Sequence, residues 1–213
     1  MAPPRGMDDG VGDAISAFRS GRPVMIYDSD YREMETDLLW HATAATPEVI
    51  RRLRNDCGGL LFLAIGDEIG EMFGLPWLQD IHSHKSLVEE NPVLRHLVTN
   101  DLQYDSRSAF TLSLNHRETY TGITDRDRSL TTRRFGELSG ELIEKDEDGL
   151  RAKERLGKEF RTPGHIPVCR ESPGGLKTRQ GHTELAVSIA RLAGLTACTI
   201  GAEMLEPEGD GAL

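Results

Sequence analysis

The sequence predicts an α+β chain, a mixed sheet layered with helices. Three observations carry this: apolar runs of strand length recur along the chain, segments with helical apolar spacing lie between them, and the two alternate without a clean βαβ repeat.

The elements follow in order. Val11, Ala14, Ile15 and Phe18 fall at i, i+3, i+4 and i+7, and Gly21 closes that helix. Residues 1–12, rich in Pro, Gly and Asp, read as a flexible leader, and residues 13–213 as a single domain. Pro23-Val24-Met25-Ile26-Tyr27 reads as a strand, and Leu38-Leu39-Trp40 as a second one paired with it. Pro47 at a first helical position introduces residues 48–55, with Val49, Ile50 and Leu53 on one face and Gly58-Gly59 as the stop. Residues 60–65 form a continuous apolar run of strand length, and residues 109–114 alternate like a strand. Residues 136–159 are highly charged and read as a solvated helix or a mobile insert. Over residues 182–193, Leu185, Ile189 and Leu192 mark a final helix stopped by Gly194.

The chain has 213 residues, 25 Lys+Arg against 35 Asp+Glu, a formal charge of −10 and 38% apolar residues. An acidic chain without a basic block has a poor field for nucleic acid or anionic lipid, so neither is expected as a partner. No apolar window is long enough to span a membrane, and the N-terminus lacks the basic-then-apolar order of an export signal. Cys57, Cys169 and Cys198 are odd in number and contain no CxxC pair, which points to a reducing, cytoplasmic setting.

Several constellations can carry chemistry. In Arg32-Glu33-Met34-Glu35-Thr36-Asp37, an extended backbone puts Glu33, Glu35 and Asp37 on one face, where they repel unless a cation sits among them. Such oxygen ligands suit Mg²⁺ or Mn²⁺ better than zinc, while the alternative is a solvated strand edge. Arg179-Gln180-Gly181-His182-Thr183-Glu184 stands at a helix start, where free N–H groups, a Gly, a hydroxyl and an Arg make a seat for phosphate. His182 adds a nitrogen ligand; the alternative is an ordinary N-cap by Thr183. Arg161-Thr162-Pro163-Gly164-His165 reads as a turn presenting a histidine, or as plain surface. Residues 121–126 read either as a polar binding loop or as a turn with a helix cap.

Other patterns fall away. His182-Thr183-Glu184 matches the H-x-E of zinc deaminases but no P-C-x-x-C follows, and neither a Walker loop nor GxGxxG occurs. His82 and His84 read as exposed loop histidines, and Cys57 as core.

Taken together, the 14–18 helix, the 23–27 strand, Arg32 to Asp37, Gly58-Gly59-Leu60, Thr121-Gly122-Ile123 with Asp125-Arg126, Pro163-Gly164-His165, Gly174-Gly175, Arg179 to Glu184 and Ala202-Glu203 resemble the 3,4-dihydroxy-2-butanone 4-phosphate synthases. The resemblance runs from about Asp13 to the C-terminus. It implies a lyase that converts D-ribulose 5-phosphate to L-3,4-dihydroxybutan-2-one 4-phosphate plus formate in riboflavin biosynthesis, with residues 13–213 as the catalytic domain. It also implies a three-layer α/β sandwich with a mixed twisted sheet flanked by helices, Mg²⁺ or Mn²⁺, two ions per site, and a homodimer with active sites near the interface. By the same resemblance, Glu33 and His182 are the metal ligands. Arg32, Glu33, Asp37, Arg179, Gln180, Gly181, His182, Thr183 and Glu203 contact substrate, and His165, Glu203, Glu35 and Asp37 are catalytic.

This sequence departs from the family pattern at three places: Thr36 replaces a Gly or Ala, the turn after His165 is one residue shorter, and the 136–159 stretch is longer. The chain stops soon after Glu203, which matches the monofunctional form rather than one fused to GTP cyclohydrolase II. Two other readings remain at this level, a sugar-phosphate-binding paralogue without turnover and a nucleotide- or RNA-binding module on a related fold. Locally the acidic chain turns basic, because residues 161–183 hold Arg161, Arg170, Lys177 and Arg179 against Glu171 alone. An anionic substrate is therefore compatible with the overall charge.

Overall fold

The computed structural model describes residues 7–98, 101–146 and 149–213. Helix α1 (Met7–Arg19) begins inside the stretch expected to be a leader, so residues 7–12 are helical and only 1–6 of that stretch lie outside the description. Its apolar face starts at Ala14 rather than Val11, which is exposed, and it buries Phe18 completely. Strands β1 (Val24–Tyr27) and β2 (Thr36–His41) pair antiparallel, as the two apolar runs predict.

Helix α2 (Pro47–Arg52) carries Pro47 at its start and Thr46 as N-cap, whose hydroxyl accepts the Val49 N–H. It is shorter than expected, because residues 53–57 widen into a π turn that Gly58 closes in the left-handed region at φ 84°. Strand β3 (Phe62–Ile65) is wholly buried. Four short helices follow, α3 (Asp67–Phe73), α4 (Leu78–His82), α5 (Lys85–Glu90) and α6 (Leu94–Leu97). Strand β4 (Phe110–His116), α7 (Asp125–Glu144), α8 (Gly149–Glu159), β5 (Phe160–Arg170), α9 (His182–Leu192) and β6 (Cys198–Glu203) complete the fold.

The six strands form one mixed sheet in the order β1-β2-β6-β3-β5-β4, with β3 and β5 as the parallel pair. The central strands β3 and β6 are buried on both faces, which requires a layer on each side. Side chains alternate across the sheet, and the contacts sort the helices. Thr199 donates to the Ala186 carbonyl of α9 and His41 meets Phe18 of α1, so α1 and α9 cover one face. Arg52 of α2 lies over Trp40, and Gly136 of α7 packs on Ala42, which puts α2 and α7 on the other. This is the mixed sheet layered with helices that the alternation of elements predicts, in the three-layer form that the family resemblance implies.

The described part of the charged 136–159 stretch is helical, the solvated-helix alternative of the two readings. Residues 136–144 finish α7, whose Phe135, Leu138 and Leu142 are completely buried, and α8 buries Ala152. The charges occupy the outer surface, where Arg134 ties Glu141 to Glu159. Residues 147–148 lie outside the description.

Candidate active site

The acidic loop after β1 is folded by its own first residue. The Asp28 carboxylate accepts the Glu33 and Glu35 N–H groups at 3.0 and 3.3 Å, and Met34 turns the chain at φ 55°. Residues 33–37 are therefore not one extended face: Asp37 is in β2, while Glu33 is swung toward α9. The loop expected to repel itself is organised around a buried carboxylate and a histidine instead.

That histidine opens α9. The helix N-cap is Gly181, not Thr183, and its backbone is extended with no side chain accepting from the first turn. His182 is buried with Nδ1 3.1 Å from Glu33 Oε2, and its Nε2 lies 3.0 Å from the Glu35 carbonyl oxygen. Burial works against a charged imidazole, but the Glu33 hydrogen bond and the charges of Asp37 and Asp28 outweigh it and push the ring up to about 9. Hydrogen bonding to His182 in turn holds Glu33 below the usual carboxylate range. Among the described residues, Asp28, Glu33 and His182 form the one grouping whose ligand atoms, one from each, all lie within 4.8 Å of one another.

Beside this cluster the sheet ends in two more carboxylates. Asp37 is buried with both oxygens lacking a hydrogen-bond partner, and desolvation pushes it up to about 7. Glu203 accepts the Leu60 N–H on Oε2 at 2.7 Å, and burial raises it as well. Glu35 is raised by burial and by its acidic neighbours Glu33 and Glu203. A cleft of about 180 Å³ joins these groups, lined by Glu33, Asp37, Leu60, Phe62, Ala109, Phe110, Cys169, His182, Thr183 and Glu203. A wider hollow of about 560 Å³ bordered by Glu68, Met72, Leu142 and Arg191 brings no such donor cluster together.

Of the residues the sequence nominates, Glu33, Asp37, His182, Thr183 and Glu203 thus meet in one cleft, with Glu35 bonded to His182 through its backbone. Arg32 and Arg179 join each other at the rim through Asp105, to which Arg32 donates two hydrogen bonds at 3.1 Å and Arg179 one at 2.8 Å. Gly181 lets Arg179 lie close, since a Cβ there would stand 2.4 Å from its Nη1. Gln180 is exposed. His165 is exposed too and lies outside the cleft lining; it sits within β5 rather than in a free turn, its N–H donating to Asn115 Oδ1 at 2.9 Å. Residues 121–124 are the turn and cap, with Thr124 accepting the Asp127 N–H and Asp127 accepting that of Gly122. Sequence reasoning missed Asp28 and Asp105. A lone acid just after a predicted strand was the available signal for the first, and none marked the second.

Comparison with known proteins places the chain in a family. The family model for 3,4-dihydroxy-2-butanone 4-phosphate synthase matches residues 12–212. A synthase of that name from Methanothermobacter thermautotrophicus is 40% identical over 196 residues, covering 92% of this chain and 81% of the relative. One from Archaeoglobus fulgidus is 40% identical over 202 residues, covering 94% and 82%. Among solved structures, a 3,4-dihydroxy-2-butanone 4-phosphate synthase in complex with two magnesium ions superposes with a TM-score of 0.67 at 26% identity, covering 95% of this chain and 80% of that one. The Candida albicans enzyme gives 0.66 at 28%, covering 95% and 83%. The chain belongs to the 3,4-dihydroxy-2-butanone 4-phosphate synthase family, which converts ribulose 5-phosphate in riboflavin biosynthesis.

Proposed function

We propose that this chain converts D-ribulose 5-phosphate to L-3,4-dihydroxybutan-2-one 4-phosphate and formate at the cleft between β2, β6 and α9, with residues 13–213 acting as one catalytic domain. The observation that carries this is the meeting of Asp28, Glu33 and His182 beside the carboxylate of Asp37, whose oxygens have no hydrogen-bond partner and of which Oδ1 lies 3.8 Å from His182 Nε2. A buried carboxylate with two orphaned oxygens is costly, and a divalent cation with its water or substrate oxygens would satisfy it. The donor set of carboxylates plus one imidazole suits Mg²⁺ or Mn²⁺. Glu33 and His182 would hold the cation, with Asp28 in reach, and two ions per site is the family expectation. The cation supplies Lewis acidity, which makes the sugar C–H next to the carbonyl easier to deprotonate.

The chain's own groups do the rest. Burial raises Asp37 to about 7, the condition for both taking and giving a proton near pH 7, and raises Glu203 in the same direction beside it. They serve enolisation and dehydration, and Glu35, raised in the same way, is a third relay. After the skeletal shift the water lost in dehydration is added back and one carbon leaves as formate, so the atoms balance without an oxidant or further co-reactant. The 181–183 amides and the Thr183 hydroxyl at the start of α9 seat the phosphate, with Arg179 and Arg32 supplying positive charge at the rim. Gln180 borders that seat.

His165 lies outside its own cleft, which a homodimer with sites near the interface would accommodate. Exposed Met34, Leu60 and Phe110 around the cleft support such a contact. Three free, buried cysteines support a reducing, cytoplasmic setting. Among the described residues no helix is long and apolar enough to cross a membrane.

The test is direct. Purified protein incubated with ribulose 5-phosphate and Mg²⁺ should release formate, and a chelator should stop it. Absence of metal-dependent formate would refute the reading.

A further inference from the structure

We propose that Asp105 is a positioning residue that fastens Arg32 to Arg179 and thereby sets the anion-binding rim of the site. The inference rests on the reading of the substrate as a sugar phosphate.

Arg32 and Arg179 come from different parts of the fold, the loop after β1 and the turn before α9, and their like charges repel. Asp105 holds them side by side. Its Oδ1 accepts Arg32 Nη1 at 3.1 Å, while its Oδ2 accepts both Arg32 Nη2 at 3.1 Å and Arg179 Nε at 2.8 Å. All three side chains are largely buried, Asp105 to within 7% of full enclosure, so water screens the triad little. Tyr104 reinforces it from the same loop, with its ring 5.0 Å from the Arg32 guanidinium carbon. Tyr104 and Asp105 thus hold Arg32 at three points, two hydrogen bonds and one ring contact.

Arg179 is fixed from its other side by Glu184, completely buried, which accepts Nη1 at 2.5 Å. Two carboxylates therefore set the plane of this guanidinium, and among the described residues Nη2 is the donor with no hydrogen bond assigned. A phosphate arriving at the start of α9 meets a guanidinium whose orientation is already determined, which spares the entropy of ordering it on binding. Asp105 belongs neither to the Asp28–Glu33–His182 grouping nor to the lining of the 180 Å³ cleft; it borders, with Arg179 and Thr178, a separate hollow of about 590 Å³, and its hydrogen bonds run to the two arginines.

The experiment compares Asp105→Asn, Asp105→Ala and Asp105→Glu with the unsubstituted enzyme at saturating Mg²⁺. Steady-state kinetics with ribulose 5-phosphate are joined by calorimetric titration with inorganic phosphate. In the Asn and Ala variants KM and the phosphate Kd should rise together by about tenfold, with kcat changed by less than about threefold and the melting temperature nearly constant. The Glu variant, which keeps the charge, should recover most of the loss. An unchanged or lower KM and phosphate Kd would overturn the proposal, the lower values meaning that Asp105 competes with the phosphate. So would a loss confined to kcat, or an equal loss in the Glu variant. Failure of the lyase reading shows separately, as absence of formate from the unsubstituted enzyme, and leaves the phosphate titration able to decide the role of Asp105.

Discussion

Asp37 stands directly opposite Glu203 in the antiparallel register of β2 and β6, so two carboxylates face each other where the sheet opens into the cleft. Like charges directly opposite in a sheet are destabilising, and Asp37 has no hydrogen bond to offset its burial. Asp37→Asn should separate stability from function. The folded carboxyl ionises only at about 7, whereas the unfolded one ionises near 3.8, so its cost to stability grows between those values and is complete above pH 7. At pH 8 with chelator present, the variant should be more stable by about 1–3 kcal/mol in urea unfolding. That gain should vanish below pH 4. Turnover should fall by about a hundredfold or more. An unfolding midpoint at or below that of the unsubstituted protein would show that Asp37 is satisfied in the fold.

Gly59 keeps the Glu203 carboxylate in place. A Cβ at position 59 would lie 2.5 Å from the Glu203 carbonyl oxygen and 2.6 Å from its Oε2, and the first of these is backbone that cannot move aside cheaply. Gly59→Ala should therefore cost about 1–3 kcal/mol and also lower kcat, because the Leu60 N–H to Glu203 bond must shift. Gly10→Ala is the control: nothing lies within 4 Å of the added carbon, so melting temperature and kcat should hold or the former rise slightly. Equal behaviour of the two variants would remove Gly59 from the argument.

Glu33 and His182 differ from Glu203 in what they should disable. Glu33→Ala and His182→Ala each remove a proposed ligand, so Mn²⁺ affinity measured by calorimetry should drop by about a hundredfold with turnover. Glu203→Gln keeps the ligands and should retain Mn²⁺ and substrate affinity while losing kcat. Retained Mn²⁺ affinity in either alanine variant would strike that residue from the ligand set.

The pattern of legibility follows from what each element depends on. β3 was readable because a strand buried on both faces needs an unbroken apolar run, and α9 because one apolar stripe faces the sheet. Over α7 and α8 the sequence leaves a solvated helix and a mobile insert undecided, because the buried stripes are narrow, Phe135, Leu138 and Leu142 in one and Ala152 in the other, so charge dominates the composition. Glu33 and His182 were nominated by residue type, but their 3.1 Å contact spans 149 positions and depends on Asp28 folding the loop, which no local spacing encodes. Asp105 lay beyond reach for a related reason. It sits between α6 and β4 in a stretch with neither helix nor strand, and its role exists only through two arginines distant in sequence.

His41 makes the fold sensitive to acid at a place remote from the cleft cluster. Its ring is buried in β2, where Nδ1 lies 2.7 Å from the Thr43 hydroxyl and Nε2 lies 2.9 Å from the Thr196 carbonyl. A carbonyl can only accept, so Nε2 carries the proton and Nδ1 accepts from the hydroxyl, which describes a neutral imidazole. Burial depresses its pKa below the usual 6.5, against the opposing pull of the Thr196 carbonyl. The unfolded chain therefore binds a proton that the folded one refuses. The contribution of His41 to stability is complete above about pH 6.5 and is lost as the pH falls below it, with a slope of at most about 1.4 kcal/mol per pH unit. His116, also depressed by burial, adds to the same trend. In His41→Gln the hydrogen-bonding group cannot protonate. The variant should be less stable by about 1 kcal/mol at pH 8, where two good bonds are disturbed. The gap should shrink or reverse by pH 5. Because all other titrating groups are common to both proteins, the difference between their unfolding free energies isolates His41. Parallel curves from pH 8 to pH 5 would mean that the buried ring accepts its second proton as readily as the unfolded one.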